Sequence, residues 1–217
     1  MIVKVCGVRT PWDARAVDAA GPDMAGFVFY GPSRRCVTHQ QARGLRTLMD
    51  PSIATVGVFV DEDPRVIADL VDDGTISIVQ LHGSEDEMYI HGLRALTHAT
   101  VIKTFIARTP EDIEAAERSP ADMVMLDAGK GSGKGFDWAL AEQMNRDYIL
   151  SGGLDPRNVG PAVERLSPAG VDVSSGVESN GRKDPAKVSD FVQNARSVGS
   201  RLRYFRSPGG SDDLTSI

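Results

Sequence analysis

Eight short apolar runs, each followed by a segment that opens on a helix-start signal, fill this 217-residue chain. They span residues 2–6, 24–29, 53–60, 76–80, 100–105, 123–127, 148–150 and 171–173. Parallel strands covered on both faces read as near-continuous apolar runs, so these eight are predicted to form a buried parallel sheet. The segments between them begin at Thr10-Pro11, Thr38, Asp63-Pro64, Ser84, Thr109-Pro110, Asp137, Asp155-Pro156 and Asp184-Pro185. A side-chain oxygen at the N-cap and a proline at the first helical position both favour helix initiation. The segments therefore predict helices over 12–20, 40–49, 65–71, 85–96, 111–117, 138–145, 157–166 and 186–198. Eight strand-then-helix units exceed what a five- or six-stranded open sheet uses, and closing the sheet removes both edges. The expected fold class is α/β, a single-domain (β/α)8 TIM barrel over residues 1–198, with a doubly wound open sheet as the alternative. From Gly199 the chain turns polar, and residues 199–217 are expected to form a loosely attached tail and not a second domain.

Composition narrows the partners. The 24 basic and 30 acidic residues leave no basic footprint for nucleic acid and no polybasic patch for a membrane surface, which points to a small soluble ligand. The amino terminus enters a strand without a signal-peptide pattern, and no apolar run approaches the length of a membrane span, so a cytoplasmic location is expected. With Cys6 and Cys36 as the only cysteines, free thiols are expected in preference to a disulfide, and four scattered histidines make no metal-ligand spacing.

In a barrel of this kind the chemistry sits at the carboxyl ends of the strands. Those positions hold Cys6, residues 30–35, Asp61, residues 80–83 with Gln80 and His82, Asp127, residues 151–153 and residues 174–176. The runs 2–6 and 123–127 each stop on one reactive side chain, Cys6 and Asp127, and these are the candidate base and acid. Ser151-Gly152-Gly153 follows the seventh strand and Ser174-Ser175-Gly176 the eighth. Glycines there let successive backbone N–H groups face one anion, so the ligand is expected to carry a phosphate on Gly152, Gly153, Ser175 and Gly176. The stretch Gly129-Lys130-Gly131-Ser132-Gly133-Lys134-Gly135 fails the nucleotide-binding pattern: Ala128 stands at the first glycine and Gly135 at the magnesium-reaching hydroxyl. It is expected instead to close over substrate beside Asp127.

Lys4-Val5-Cys6-Gly7, Gly26-Phe27-Val28-Phe29 with Ser33-Arg34-Arg35, Gly57-Val58-Phe59-Val60, Val79-Gln80-Leu81-His82-Gly83 and Leu126-Asp127 occur in this order. Gly131-Ser132-Gly133-Lys134 with Phe136-Asp137-Trp138, Leu150-Ser151-Gly152-Gly153-Leu154 and Val171-Asp172-Val173-Ser174-Ser175-Gly176-Val177-Glu178 complete the set. Together they resemble the phosphoribosylanthranilate isomerase family of tryptophan biosynthesis, from residue 2 to about residue 196. The resemblance implies a cofactor-free and metal-free Amadori rearrangement of a phosphorylated aminosugar. It implies that Asp127 protonates the furanose ring oxygen, for which it must carry its proton near neutral pH, and that Cys6 removes the C2 proton. It also implies that Arg35 pairs with the anthranilate carboxylate, with Arg34 the alternative. Gln80 and His82 face the same mouth, His82 either as a ligand contact or as a packed residue. Family members occur as monomers, dimers and fusions, so monomer and homodimer both stay open.

Trp138 and Phe136 are read as packing of the sixth helix, and Cys36 as structural. Gly135, where the family has Ser or Thr, and Gly31-Pro32 depart from the pattern without removing a catalytic group. The histidine-pathway sugar isomerase resembles the chain in fold but carries Asp in place of Cys6 and a second phosphate loop, where this chain has Asp61-Glu62-Asp63. A sugar-phosphate sensor on a decayed barrel is the non-enzymatic reading, against which Cys6 and Asp127 both stand.

Overall fold

A computed structural model describes residues 1–127 and 138–206, without side chains beyond residue 199. Eight strands, β1 (Ile2–Cys6), β2 (Met24–Val28), β3 (Ala54–Phe59), β4 (Ile78–Leu81), β5 (Thr100–Ile106), β6 (Met123–Asp127), β7 (Tyr148–Ser151) and β8 (Gly170–Val173), pair in parallel in chain order. β8 returns to β1 with Lys4 opposite Asp172, which closes the barrel. The (β/α)8 TIM barrel expected from the alternating runs is thus the observed fold, and the open sheet is excluded. Helices α1 (Pro11–Ala20), α2 (His39–Arg46), α3 (Pro64–Asp72), α4 (Glu87–Arg94), α5 (Pro110–Arg118), α6 (Trp138–Ala141), α7 (Val159–Leu166) and α8 (Pro185–Arg206) follow the strands. Among the described residues no helix is long and apolar enough to cross a membrane.

The period-2 alternation of each strand divides the core in two. One set of side chains, including Val5, Phe27, Leu81, Leu126 and Val171, packs outward against helix residues such as Val17, Leu70, Leu93, Val163 and Phe191. The other fills the barrel, with Met24, Val56, Ile78, Ile102, Met125 and Ile149 supplying one residue from each of β2–β7. Burying a side chain of this size contributes roughly 1.5–3 kcal/mol. Two residues further along the same inward face, the apolar plug gives way to Gln80, Thr104, Asp127 and Ser151, and there the site begins.

Local signals set the element starts. Thr10 and Asp13 form a reciprocal capping box at α1, which ends on Gly21 in the left-handed region at φ 58°; Thr38 and Gln41 do the same at α2. Several predicted boundaries shift. α4 is capped by Asp86 and not Ser84, because Ser84 donates its backbone N–H and hydroxyl to Asp61. α7 begins at Val159, because Asp155 takes the backbone N–H groups of Arg157 and Asn158 in a turn that precedes the helix. α6 stops at Ala141, and α8 continues to Arg206, eight residues past its predicted end at 198. Trp138 packs on the core as expected, with the Arg165 guanidinium 5.3 Å from its ring centre. The glycine–lysine loop 129–135, Phe136, the Asp137 cap and residues 207–217 lie outside the described residues.

A buried ion pair ties the third and fourth loops together. Lys103 points outward from β5 and donates to the Gly83 carbonyl and to Glu85 Oε2, both at 2.7 Å. Glu85 also accepts the backbone N–H groups of Asp61 and Gly83, each at 2.9 Å. Breaking a buried pair by removing one partner strands the other charge and typically costs about 3–5 kcal/mol. Lys103→Met is therefore expected to lower the unfolding free energy measured by urea titration by an amount in that range, and an unchanged free energy would show that the pair holds nothing in place.

One element was not expected. After a 3-10 turn at Ser175–Val177, the strands β9 (Glu178–Ser179) and β10 (Arg182–Lys183) form a short antiparallel hairpin. Asn180 and Gly181 both have positive φ, 52° and 74°, which is the two-residue turn that matches strand twist. Buried Asp13 accepts the Lys183 backbone N–H at 2.8 Å, and Trp12 Nε1 donates to the Lys183 carbonyl at 3.1 Å, so the hairpin is pinned to α1.

Candidate active site

Each reactive group reaches the mouth because its strand ends there. Cys6 closes β1 and is buried, and the next residue, Gly7, takes φ 81°. A Cβ at Gly7 would lie 2.4 Å from Arg35 Cδ, so the absent side chain is what lets Arg35 cross the end of β1 beside the thiol. Two residues before Cys6, on the same face, Lys4 is fully buried and donates to Asp172 Oδ1 at 2.8 Å. The second Asp172 oxygen accepts the Ser151 hydroxyl at 3.0 Å. A second buried lysine, Lys183, enters from the hairpin and donates to the Ser174 carbonyl at 2.9 Å and to Glu178 Oε1 at 3.2 Å.

This arrangement sets the charge states. Burial pushes the Cys6 thiol above its ordinary value, and Lys4 and Lys183 pull against that. Burial works against the Lys4 charge too, but Asp172 and Cys6 outweigh it and hold Lys4 above the usual lysine value. For Lys183 burial wins, against Glu178 and Cys6, and its pKa is lowered. Burial opposes the Glu178 charge, yet the bonds from Arg35 and Lys183 prevail and hold this carboxyl at about 2.

Across the mouth Asp127 ends β6, with His82 Nε2 at 3.7 Å from its Oδ2. Burial pushes the His82 pKa down, although Asp127 pulls it up, which favours the neutral ring. Gln80 lies beneath His82 and is almost fully buried, donating from Nε2 to Thr104 Oγ1 at 3.0 Å. Its Oε1 is buried with no hydrogen-bond partner among the described residues.

The loops after β7 and β8 touch through their backbones. A Cβ at Gly176 would stand 1.9 Å from the Leu154 carbonyl oxygen, so only glycine permits this approach. Gly152 and Gly153 take φ 90° and 68°, and Asn158 donates to the Gly153 carbonyl at 2.9 Å. Two lobes open above these groups. One of about 410 Å³ is lined by Gly152, Gly153, Leu154, Val173 and Ser175. The other, of about 510 Å³, is lined by Cys6, Val28, Tyr30, Val58, Val60 and Gln80. Arg35, His82, Asp127, Ser151, Asp172 and Ser174 border both, so the lobes form one cleft.

Cys6, Asp127, Arg35, Gln80, His82, Gly152, Gly153 and Ser175 all line this cleft, and Gly176, next in the chain after Ser175, packs against the Leu154 carbonyl. Of the two arginines, Arg35 is 13% exposed and borders the cleft, whereas Arg34 is 65% exposed. Lys4, Asp172 and Glu178, known from the sequence only as motif residues, and Lys183, outside those motifs, thus join the site without any role having been expected of them. Signals for three of them were present: a charge inside each of two apolar strands, and the Asn180-Gly181 turn that returns Lys183 to the barrel.

A closed (β/α)8 barrel whose titratable side chains meet in a cleft at the carboxyl ends of its strands defines a barrel enzyme. The family model for N-(5'-phosphoribosyl)anthranilate (PRA) isomerase matches residues 3–194. N-(5'-phosphoribosyl)anthranilate isomerase of Endomicrobium trichonymphae is 40% identical over 201 residues, 90% of this chain and 98% of that protein. The crystal structure of phosphoribosyl anthranilate isomerase from Thermotoga maritima has a TM-score of 0.81 at 36% identity, covering 91% of this chain and 100% of the other. A phosphoribosyl anthranilate isomerase in complex with reduced 1-(o-carboxyphenylamino)-1-deoxyribulose 5-phosphate has a TM-score of 0.78 at 34% identity, with the same coverage. The chain belongs to the phosphoribosylanthranilate isomerase family.

Proposed function

We propose that this enzyme converts N-(5-phosphoribosyl)anthranilate to 1-(2-carboxyphenylamino)-1-deoxyribulose 5-phosphate in tryptophan biosynthesis, with Asp127 as general acid and Cys6 as general base. The observation that carries the reading is the division of the cleft. The larger lobe offers apolar Val28, Val58 and Val60 with the Arg35 guanidinium at its border, which suits an aromatic ring bearing a carboxylate. The smaller lobe offers the glycine turns at 152–153 and the 3-10 turn at Ser175–Val177, whose backbone N–H groups suit a phosphate. Asp127 borders both lobes and Cys6 the larger one, where the sugar joining the two anions would lie.

The chemistry follows from these positions. Asp127 gives its proton to the furanose ring oxygen as the C1–O bond breaks, and the anilino nitrogen lone pair forms the C1=N bond of a protonated Schiff base. The Cys6 thiolate then takes the proton from C2, and the electrons of that C–H bond move to the iminium and yield an enolamine. Ketonisation adds a proton at C1 and releases the one on the C2 hydroxyl, so the reaction is an isomerisation with no net gain or loss. Lys4 and Lys183 favour the thiolate form of Cys6, in opposition to its burial. Neutral His82 beside Asp127 adds no competing positive charge there.

The test is turnover of freshly prepared N-(5-phosphoribosyl)anthranilate in EDTA, followed as loss of substrate fluorescence. Metal-independent turnover is the expected result. A folded protein that leaves this substrate untouched would overturn the proposal.

A further inference from the structure

Glu178 is reached by three cationic side chains. Arg35 donates to it twice, from Nε at 2.6 Å and from Nη2 at 2.8 Å; Arg34 donates from Nη2 at 3.2 Å, and Lys183 from Nζ at 3.2 Å. Its side chain is only 8% exposed. A guanidinium has five N–H donors and two edges able to grip a carboxylate, and Glu178 takes the Nε–Nη2 edge. Among the described residues no protein acceptor is bonded to Arg35 Nη1, and Arg35 borders both lobes of the cleft.

We infer that Glu178 is a positioning residue, which clamps one edge of Arg35 so that the Nη1–Nη2 edge is held ready for the carboxylate of the substrate. The inference rests on the proposed role of Arg35 and adds to it the group that fixes the plane of the fork. Two observations favour a clamp over an internal competitor for the same arginine. First, Glu178 is itself held in place: Lys187 Nζ donates to its carbonyl at 3.0 Å, and the hairpin that carries it is tied to α1 through Asp13 and Trp12. Second, one carboxylate faces Arg34, Arg35 and Lys183, so the cluster keeps a net positive charge for an incoming anion. A preformed fork loses less freedom on binding than a free one.

The experiment compares N-(5-phosphoribosyl)anthranilate with N-(5-phosphoribosyl)aniline, which differs only in lacking the carboxylate. The aniline compound is read as an alternative substrate or, if it is not turned over, as a competitive inhibitor through its Ki. Glu178→Gln is expected to raise KM for the anthranilate substrate about tenfold, with kcat within about threefold and the aniline constant within about twofold. Glu178→Asp keeps the charge but withdraws it by one methylene. An intermediate shift confined to the anthranilate substrate is expected, which covers a Gln variant that fails to fold. Equal losses on both compounds, or no change in the anthranilate KM, would overturn the inference. A fall in that KM, the mark of an internal competitor, would do the same. Arg35→Ala separates the two layers. If it leaves the preference for the carboxylated compound intact, the role of Arg35 fails; if it abolishes the preference while Glu178→Gln retains it, Arg35 stands and Glu178 does not.

Discussion

Asp127→Asn is expected to lower kcat by roughly 10²–10⁴-fold, the usual contribution of a positioned general acid, while the protein folds as before. The amide has the shape of the carboxyl but cannot deliver the proton that the proposed mechanism assigns to the furanose oxygen, so in that mechanism ring opening would fall back on water. Asp127 ends β6 with its side chain 21% exposed, and it is not part of the apolar plug, so little packing is at stake. The variant should keep its thermal midpoint and bind substrate with a KM close to the parent's, since the contacts proposed for the carboxylate and phosphate lie elsewhere in the cleft. Steady-state kinetics and a thermal melt check the prediction together. A variant that keeps more than about a tenth of the parent's turnover would remove Asp127 from the acid role.

Cys6→Ser should cost a similar factor for a different reason. A serine hydroxyl in this pocket is not a base at any usable pH, whereas a thiol ionises far more readily and has two lysines beside it. The sign of the pH effect follows from the balance at Cys6. Burial disfavours the thiolate more than Lys4 and Lys183 favour it, so ionisation lies above the ordinary thiol value of 9.0, and the thiolate fraction grows as pH rises toward it. The difference in thiolate absorbance between parent and Cys6→Ser, followed through an alkaline titration, isolates Cys6 from Cys36. A midpoint above 9.0 is expected. A midpoint on the acid side of that value would show that the lysines dominate the pocket.

Much of the barrel was legible because its strands are buried on both faces. Burial of both faces requires apolar residues in succession, and an apolar run that stops on one polar side chain marks the end of a strand. β1 and β6 match the predicted runs 2–6 and 123–127, and Cys6 and Asp127 were found for the same reason. Helix starts were less secure. At Ser84 the hydroxyl is drawn to Asp61, 23 positions away, and at Asp155 the carboxylate closes a turn on the N–H groups of Arg157 and Asn158 before the helix begins, so neither residue serves as the cap that its type suggests. The hairpin at 178–183 escaped although Asn180-Gly181 is a strong turn signal, because strands of two residues carry no periodicity to read.

The number and order of the βα units, the closed parallel architecture, the glycines that allow the two backbone loops to touch, and the thiol and carboxyl at the mouth are written in the chain. These follow from local rules of periodicity, turn chemistry and strand termination, which need no knowledge of distant residues. Which charges stand around Cys6 and Arg35 depends instead on long-range folding. Lys4 and Asp172 are 168 positions apart, and Arg35 and Glu178 are 143 apart. A charge inside an apolar strand is tolerable only if its counter-charge arrives with it, and pairing β8 with β1 is what brings Asp172 opposite Lys4.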